Sequence, residues 1–547
     1  MNRLVLPLTV LVIAAGGAAT AVAVPRVDGP TPERPPTSTL PLTRLGAVAA
    51  AAVCPGPQTL QVPDGGRVVP PPGPVLVAAA AAGLAGSTAV LAGQDGAPAD
   101  GLVLRPPDGA QVGDVAVAGL RRTQAGPVRL DARGSGTAPT LSAVQATIAT
   151  RGDLRGLTAS ACPAAATDAW LVGGGTGEGH RSRLLLANPT ATPVTVDVTV
   201  HAEDGEHAPQ AGAGVSVPAG GARAVQLDAL APGLGPVTVH VRAVTGRFVA
   251  TLHHTVLRGL VPGGTDDVVP AAAPSRRQVV PGLSVPDGGR GGLPEDPAAA
   301  GAAAVRIAVP GGGDAVVRVG LVGERGPVAL PGGGVLTVPA YGVADLPLRG
   351  LRSGSYAAVV ESDVPVVASA LVSRTRAGGE IAGTRAAVGV AVPPSEFAWL
   401  PSAAPLARTV LAAVPRPEQA ARGGTPAVTV SAAVVLTAPD GGALAHLREV
   451  GADGRVLVAR DLEVAPGSTV RSRLAAGTRA LSLTLDPLPA GAVSTATGRG
   501  PVYGALELSS SRADGLLLAG VVLRPGAEPV AVRPRLGDDR RLGLPGG

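Results

Sequence analysis

The sequence contains no lysine and very few aromatic residues, and both absences restrict the function. All 45 basic residues are arginine, and they are scattered singly or in short pairs. Only two tryptophans, three tyrosines and two phenylalanines occur among the 547 residues. A nucleic-acid-binding surface needs a clustered basic stripe, and single-strand binding also needs stacking aromatics. We therefore predict that nucleic acid is not a partner.

Common catalytic motifs are also missing. The sequence has neither a G-x-S-x-G nucleophile elbow nor an H-E-x-x-H zinc motif, and lysine-dependent serine chemistry is excluded. The glycine run 173–179 precedes a strand pattern and lacks the lysine of a phosphate-binding loop, so we interpret it as a flexible loop. The carboxylates Asp266 and Asp267 lie in a predicted linker. We predict a non-enzymatic protein without a cofactor, with an enzyme whose site lies between domains as an alternative.

The residues that are abundant are those of a β protein. The 78 glycines and 55 prolines separate valine-rich runs. In the clearest run, valines at 194, 196, 198 and 200 alternate with polar residues, which is the pattern of a half-buried strand. The chain is too long for a single hydrophobic core. We predict an all-β fold of tandem immunoglobulin-like β-sandwich domains behind an N-terminal transmembrane or signal segment.

Sequence elements recur at an interval of about 120 residues, which indicates repeated domains rather than a solenoid of short repeats. One element resembles VPAGGARAVQL and is found at 217–227, 338–348 and 464–474. A closing strand pair is assigned to 237–256, 356–374 and 502–525, and Trp170-Leu171-Val172 is echoed at 399–401.

The segment 237–256 is predicted to form a hairpin that turns at Thr245-Gly246. In this register the apolar residues share one face, because a slip of one residue would mix the two faces. The predicted cross-strand pairs are Val241 with Ala250, Val239 with Leu252, and Ala243 with Phe248.

The chain begins with an export segment. Residues 4–24 carry no charge and are long enough to span a bilayer, so 1–24 is predicted to be a membrane anchor. A signal peptide cleaved after Ala21-Val22-Ala23 is the alternative, which would give a secreted protein. Both alternatives place the remainder outside the cytoplasm, with the membrane as a partner in the first.

The composition suggests the further division of the chain. Segments 263–279 and 375–396 are predicted to be connections between domains. The predicted units are a Pro-rich spacer at 25–45, a disulfide-closed β domain at 46–168, β-sandwiches at 169–262, 280–375 and 397–532, and a flexible tail at 533–547.

The two cysteines lie at opposite ends of the first β domain. In an exported protein Cys54 and Cys162 are predicted to form one disulfide, with two buried free thiols as the alternative. Closing a loop of about a hundred residues contributes roughly 4 kcal/mol in the chain-entropy model.

Histidine forms the only cluster that suggests chemistry. In the predicted hairpin His240 and His253 point outward as diagonal neighbours, and two such imidazoles can contribute to a zinc or copper site. A third ligand is not identifiable, so we interpret them as surface histidines and predict no metal. Six of the seven histidines belong to this region, namely His180, His201, His207, His240, His253 and His254.

The export segment, the spacer, the early Cys-Pro and the series WLVGGG, LLLANPT, VTVDV and VPAGG resemble a family of exported, membrane-anchored proteins of high-GC Gram-positive bacteria, which is known only as a domain of unknown function. The resemblance covers most of the chain. It implies a β-rich extracytoplasmic protein of the cell envelope, and it implies no catalytic residues.

We therefore predict a non-enzymatic scaffold or interaction protein of the cell envelope, in which the domains form a rod. Its candidate partners are envelope proteins or cell-wall glycan. The alternative function is an accessory binding module for a cell-wall polymer or for the enzymes that assemble it.

Overall fold

The computed structural model is built almost entirely of β-strands, which confirms the predicted all-β sandwich class. Residues 46–530 form one compact unit, and residues 1–45 with 531–547 form another. None of the helices in the described residues is long and apolar enough to cross a membrane. The structure describes residues 43–45, 49–58, 60–61, 68–69, 75–82, 89–92, 98–104, 115–122, 126–133, 139–285, 303–348, 351–375, 395–418, 427–488, 500–512, 515–525 and 530–532. The predicted anchor at 1–24 and the predicted tail at 533–547 lie outside these residues.

The first sandwich follows a short strand, β1 (Thr43–Leu45), and includes a small hairpin of β3 (Leu60–Gln61) and β4 (Val68–Val69). Its other described strands are β2 (Ala49–Cys54), β5 (Val75–Ala82), β6 (Ala89–Ala92), β7 (Pro98–Leu104), β8 (Val115–Arg122), β9 (Val128–Arg133), β10 (Thr140–Ala149) and β11 (Gly156–Ala161). They form two antiparallel sheets, with the orders β2-β9-β6-β7 and β11-β10-β5-β8.

The second sandwich contains a 3₁₀ turn at Gln210–Gly212 and one short helix, α1 (Leu227–Leu230). Its strands are β12 (Asp168–Val172), β13 (His180–Ala187), β14 (Val194–Ala202), β15 (Gly205–His207), β16 (Val215–Val217), β17 (Ala222–Gln226), β18 (Thr238–Thr245), β19 (Val249–Arg258) and β20 (Val261–Val268). The sheet orders are β12-β18-β14-β15, with β16 also on β14, and β20-β19-β13-β17.

The third sandwich uses one long strand in both of its sheets. Its described strands are β21 (Ser275–Val285), β22 (Ala303–Ala308), β23 (Ala315–Gly323), β24 (Gly326–Val328), β25 (Val335–Val338), β26 (Val343–Pro347), β27 (Gly354–Thr375) and β28 (Ser395–Pro401), with a 3₁₀ turn at Pro331–Gly334. The first half of β27 pairs with β21 and β23, and its second half pairs with β22 and β28.

The described strands of the fourth sandwich are β29 (Thr409–Ala413), β30 (Ser431–Ala438), β31 (Ala443–Val450), β32 (Val456–Val464), β33 (Ser468–Arg473), β34 (Ala480–Pro487), β35 (Tyr503–Arg512) and β36 (Gly515–Val522). Its sheets have the orders β29-β34-β31-β32 and β36-β35-β30-β33. A last short strand, β37 (Val530–Val532), pairs with β1.

The strand order is the same in all four sandwiches of the described chain. The first strand in sequence lies at the edge of one sheet, and the last lies at the edge of the other. We call these last strands, β11, β20, β28 and β36, the inner strands. The repeated VPAGG-type element maps onto β17, β26 and β33, which occupy equivalent positions.

The inner strands pack against one another in a closed cycle. β11 contacts β20, β20 contacts β28, β28 contacts β36, and β36 returns to β11. Glycines permit the close approach: a Cβ atom on Gly264 would lie 2.7 Å from Cδ1 of Phe397, and one on Gly156 would lie 2.8 Å from Oε1 of Glu396. The four sandwiches therefore surround a common centre.

The cycle is closed by an apolar contact between the first and fourth sandwiches. Ile148 on β10 belongs to the same buried cluster as Leu411 and Ala413 on β29. Beside them, the backbone N–H of Ala413 donates to Oγ of Ser142 at 3.1 Å. The prediction of a rod is therefore wrong, because a rod would leave the first and fourth domains apart.

The few aromatic residues are concentrated where sandwiches meet. Phe397 and Trp399 extend from β28 of the third sandwich into the core of the second. Tyr503 of the fourth sandwich belongs to the core of the third. The cores are otherwise filled mainly by valine, leucine and alanine, and all four valines of the predicted run at 194–200 are buried on β14.

The predicted hairpin at 237–256 is wrong. β18 pairs with β12 and β14 in one sheet, whereas β19 pairs with β13 and β20 in the other. The apolar residues of both strands do face each other, but across the interior of the sandwich. Alternation identifies the buried face, and it does not distinguish a hairpin from two strands in opposite sheets.

Three other sequence interpretations are also corrected. Segment 263–279 is not a linker, because it contains most of β20 and the start of β21. Segment 502–525 contains β35 and β36, so it is displaced by one strand from the pairs at 237–256 and 356–374. Trp170 lies on a first strand and Trp399 on an inner strand, so they are not equivalent. Most of the linker predicted at 375–396 lies outside the described residues.

Candidate functional site

Two histidines and two aspartates face each other on neighbouring strands at the centre of the molecule. His253 on β19 is opposite Asp267 on β20, and His254 is opposite Asp266. Successive residues of a strand point to opposite faces, so each pair occupies its own face. All four residues are at most 4% exposed. These carboxylates lie on a buried inner strand, contrary to the prediction that placed them in a linker.

The first face forms a joint with the first sandwich, which we call the sandwich 1–2 joint (Gln58, Ser160, His253, Asp267). Oδ1 of Asp267 accepts from Nδ1 of His253 at 2.6 Å and from Nε2 of Gln58 at 2.5 Å. Oδ2 accepts from Oγ of Ser160 at 3.2 Å. Gln58 also donates to the backbone oxygen of Asp266 at 3.1 Å. Two residues of the first sandwich thus bind one carboxylate of the second.

Electrostatics favours an ionised Asp267. Burial by itself would raise the pKa of this carboxyl, but the charge of His253 and the hydrogen bonds from His253, Gln58 and Ser160 hold the pKa below its ordinary value. Nε2 of His253 is buried and has no hydrogen-bond partner among the described residues. The imidazole is therefore oriented by a carboxylate through one nitrogen only.

The second face forms the sandwich 2–3 joint (His180, His254, Asp266, Trp399). The indole N–H of Trp399 donates to Nδ1 of His254 at 3.2 Å. Nδ1 is then an acceptor, so the proton of neutral His254 is on Nε2, which lies 3.0 Å from Nδ1 of His180. Burial, followed by the charges of His180 and Arg306, lowers the pKa of His254 well below its ordinary value. His254 is therefore neutral in the folded protein.

The surroundings of Asp266 shift its pKa in the opposite direction from that of Asp267. Its Oδ2 accepts from the backbone N–H of Trp399 at 2.6 Å, while its Oδ1 is buried without a partner among the described residues. Burial, with a smaller contribution from the neighbouring charge of Asp267, raises the pKa of Asp266 well above its ordinary value. The ionised form is thus disfavoured at Asp266 and favoured at the adjacent Asp267.

An arginine of the third sandwich completes this joint. Arg306 makes a bidentate ion pair with Asp345, through Nε at 2.8 Å and Nη2 at 2.9 Å. Its Nη1 donates across the interface to the backbone oxygens of Gly174 at 2.6 Å and Val237 at 3.1 Å. The guanidinium also lies 4.7 Å from the centroid of the Trp399 ring, within the range of a cation–π contact.

The glycine run at 173–179 has a packing role. A Cβ atom on Gly173 would lie 2.9 Å from Cγ2 of Val268 and 3.0 Å from Cδ2 of Trp399. The loop is mostly buried, and Thr176 Oγ1 donates to the backbone oxygen of Ala231 at 2.6 Å. The interpretation as a flexible loop is therefore wrong, because these glycines allow the chain to pass beside the indole.

A carboxylate also links the first and third sandwiches. Oε1 of Glu396 on β28 accepts from the backbone N–H of Leu157 on β11 at 3.1 Å. Its Oε2 lies 3.9 Å from Nη1 of Arg155, and both side chains are almost fully buried. Three inner strands are thus connected by buried polar contacts.

The six clustered histidines separate into different environments. His240 does not point freely outward: it stacks on Trp170 with ring centroids 3.9 Å apart and binds Asp168 at 2.8 Å. His201 contacts the backbone oxygen of Tyr341 at 3.0 Å. His207 binds Asp204 at 2.8 Å on the surface. The prediction that His253 faces solvent is wrong, because the neighbouring sandwich covers it.

The chemistry available to these groups is limited by their burial. Within the described residues, no group of three His, Cys, Asp or Glu side chains is arranged to hold a metal ion. Two cavities, of about 60 and 240 Å³, lie between the first and fourth sandwiches and are not lined by His253 or Asp267. The two joints therefore connect sandwiches through hydrogen bonds.

The disulfide predicted between Cys54 and Cys162 is present. It connects β2 to the residue that follows β11, over a sequence separation of 108 residues. Both cysteines are buried, and the backbone N–H of Val53 beside it donates to the oxygen of Pro163 at 3.0 Å. The covalent link thus lies next to the inner strand of the first sandwich.

A family model matches residues 116–475, which is more than half of the chain. The model is that of DUF5719, a family of unknown function. The chain belongs to the DUF5719 family. The matched range begins in β8 and ends just after β33, so it includes both joints except for Gln58.

Other comparisons add little. No curated protein is significantly similar to the chain. Among solved structures, the chain is similar to the crystal structure of Streptomyces avermitilis α-L-rhamnosidase complexed with L-rhamnose, with 9% identity and a TM-score of 0.11. That likeness covers 76% of this chain and 53% of the enzyme, so the chain spans about half of its length. At this TM-score the likeness supports no inference about activity.

Sequence reasoning missed the partners in both joints. Gln58, Ser160 and Arg306 carry no recognisable motif, and their roles depend on contacts between residues more than 100 positions apart. The one available signal was the adjacency of two polar pairs, His253-His254 and Asp266-Asp267, which a ladder register can align. The prediction that placed Asp266 and Asp267 in a linker excluded this alignment.

Proposed function

We propose that this protein is a non-enzymatic extracytoplasmic scaffold or interaction protein of the cell envelope. The observation that supports this best is that buried acid and base groups with shifted pKa values lie in the joints between sandwiches. His254, Asp266 and Asp267 are buried and hold one sandwich to the next. Such joints would hold the four sandwiches as one rigid body, which is what a scaffold requires.

Two features support the location. The uncharged segment 4–24 has the length of a membrane anchor, and a cleaved signal peptide would also export the chain. A disulfide persists in oxidising compartments and is rare in the cytosol. In the anchored form the protein would be single-pass, with its C-terminal part outside the cytoplasm.

Location is tested with reporter fusions at the C-terminus of the full-length chain. Alkaline phosphatase needs export for activity, whereas a cytoplasmic fluorescent reporter does not, so the two report opposite topologies. The proposal expects phosphatase activity together with an oxidised Cys54–Cys162 pair in cells whose thiols are trapped before lysis. A reduced pair with an inactive phosphatase fusion would contradict it.

The non-enzymatic role is tested on the full-length chain with cell-wall glycan as substrate. The variant H253Q removes the imidazole, while its amide can still donate to Asp267. The proposal expects no release of soluble glycan by the wild type and the same result for H253Q. Glycan release by the wild type that H253Q abolishes would establish the alternative of an enzyme with an inter-domain site.

The binding-module alternative is favoured by a separate observation. The larger cavity between the first and fourth sandwiches is lined by three arginines and one glutamate. Positive charge of this kind suits an anionic polymer of the cell wall. Cosedimentation of the full-length chain with purified wall, before and after removal of its anionic polymers, distinguishes this function from binding to envelope proteins.

A further inference from the structure

A groove lies where the fourth sandwich closes the cycle onto the first. Its volume is about 240 Å³. β5 and β8 of the first sandwich supply one wall, with the cross-strand pair Leu76 and Arg121 and the pair Ala78 and Gly119. The fourth sandwich supplies the other wall, with Arg416, Glu418 and Arg479 among the lining residues.

Positive charge exceeds negative charge along this groove. The ionisable lining residues are Arg121, Arg416, Arg479 and Glu418. Glu418 lies 3.9 Å from Arg121, and both side chains are more than half exposed. The nearby Glu449 is paired with another cation, since its Oε1 lies 2.6 Å from Nη2 of Arg460, and its Oε2 accepts from Thr478 at 2.6 Å.

Arg416 is the deepest of the three cations. It is 7% exposed, and its guanidinium donates to the backbone oxygens of Val430 at 2.9 Å and Ala475 at 2.7 Å. Neutral carbonyl oxygens orient the guanidinium without cancelling its charge. Burial and then the charge of Arg479 lower the pKa of Arg416, while the more weakly acting charge of Glu449 raises it.

Buried charges in proteins are normally paired, and here the described residues supply no carboxylate in contact with Arg416. We propose that this groove binds a phosphate group, with Arg416 and Arg479 on one side and Arg121 on the other. A tetrahedral phosphate offers several oxygens and can accept from all three guanidinium groups, which suits it better than a carboxylate. The apolar residues Leu76, Ala78 and Val117 would contact whatever carries the phosphate.

This inference goes beyond the scaffold role, and either can fail without the other. It is tested with inorganic phosphate and glucose 1-phosphate, added to the full-length chain in mild detergent at constant ionic strength. Glucose serves as the neutral control. The expected result is a saturable rise in melting temperature with both phosphates and none with glucose, because a ligand of the folded state stabilises it.

Variants locate the site. R479Q and R121Q each remove one charge-assisted contact, so each should weaken phosphate binding by about tenfold or more. Arg455 is on an exposed turn with its side chain 85% exposed, so R455Q is the matched control and should bind as the wild type does. Arg121 and Arg479 are partly exposed, so R121Q and R479Q should leave the protein folded. Replacing the buried Arg416 would be more disruptive, and the test therefore does not depend on it.

The outcomes are distinct. An unchanged phosphate affinity in both R479Q and R121Q, or no saturable response in the wild type, would overturn the proposal. Vesicles containing phosphatidylglycerol provide a further arm. If they compete with soluble phosphate for the wild type and not for R479Q, the phosphate belongs to a lipid headgroup, and if they do not compete, it belongs to a soluble or polymeric ester.

Discussion

Trp399 donates its indole N–H to Nδ1 of His254 at 3.2 Å, across a sequence separation of 145 residues. The two residues belong to different sandwiches, and the tryptophan ring fills the end of a core that is not its own. Its backbone N–H also donates to Asp266. One residue of the third sandwich therefore satisfies two buried polar groups of the second.

The variant W399F tests this contact. It removes the N–H donor and leaves Nδ1 of His254 buried without a partner, which costs about 1–3 kcal/mol in addition to the lost packing. The Trp170 ring is instead stacked on His240, and the phenyl ring of W170F can keep a stacking contact. We therefore expect a lower denaturation midpoint for W399F than for W170F. Equal midpoints for the two variants in denaturant titrations would contradict the assigned hydrogen bond.

Asp266 predicts a specific dependence of stability on pH. Its pKa is raised in the folded state, so its contribution to stability is complete below the unfolded value of 3.8 and is lost as pH rises toward the folded value. The variant D266N keeps an acceptor for the Trp399 N–H and does not titrate. We expect the free energy of unfolding of the wild type to fall relative to D266N by about 1.4 kcal/mol per pH unit above that point.

The comparison must be made between variants, because His254 acts in the opposite direction. Its folded pKa is lowered, so its contribution is complete above 6.5 and is lost as pH falls toward the folded value. The two effects oppose each other in the wild type. Denaturant titrations from pH 4 to 8 should show curves that diverge for wild type and D266N, and parallel curves would show that Asp266 is ionised in the fold.

Gly173 is predicted to be intolerant of a side chain. The variant G173A places a methyl group against Val268 and the Trp399 ring, and overpacking of this kind costs about 1–3 kcal/mol. Gly235 is the matched control, since a Cβ atom there meets nothing within 4 Å. Thermal melts should show a clear loss for G173A and almost none for G235A. A tolerated G173A would mean that the loop does not pass beside the indole.

The disulfide is predicted to stabilise the first sandwich. Replacing both Cys54 and Cys162 by serine removes a link across 108 residues, and losses of about 2–5 kcal/mol are usual for such bonds. The wild type in reductant should unfold at the same denaturant midpoint as the double variant. If reductant exposes two titratable thiols without moving the midpoint, the bond is not a source of stability.

The sequence was sufficient for the fold class but not for the arrangement of the sandwiches. Alternation at 194–200 correctly identified the buried face of β14, and the VPAGG-type element correctly marked equivalent strands. Alternation could not show that β18 and β19 lie in different sheets, since a hairpin and a sandwich bury the same residues. Nor does any local pattern encode which sandwich packs on which.

The candidate site was less predictable for a related reason. An inner strand such as β20 is buried on both faces by other sandwiches, yet it is rich in glycine and aspartate, a composition that is typical of loops. Its polar residues are compatible with burial only because Gln58, Trp399 and others supply hydrogen bonds from distant segments. Those partners become visible only when the sandwiches are assembled.

The central claim is that the fourth sandwich returns to the first, and cross-linking tests it most directly. Nη2 of Arg121 lies 3.9 Å from Oε2 of Glu418, and both side chains are exposed. The double variant R121C and E418C should be joined within one chain by a short bis-maleimide, as identified by mass spectrometry. A control pair, R121C with D314C, places the second thiol on the third sandwich. The closed cycle predicts an intramolecular link in the first pair alone; a first pair that links no better than the control would contradict it.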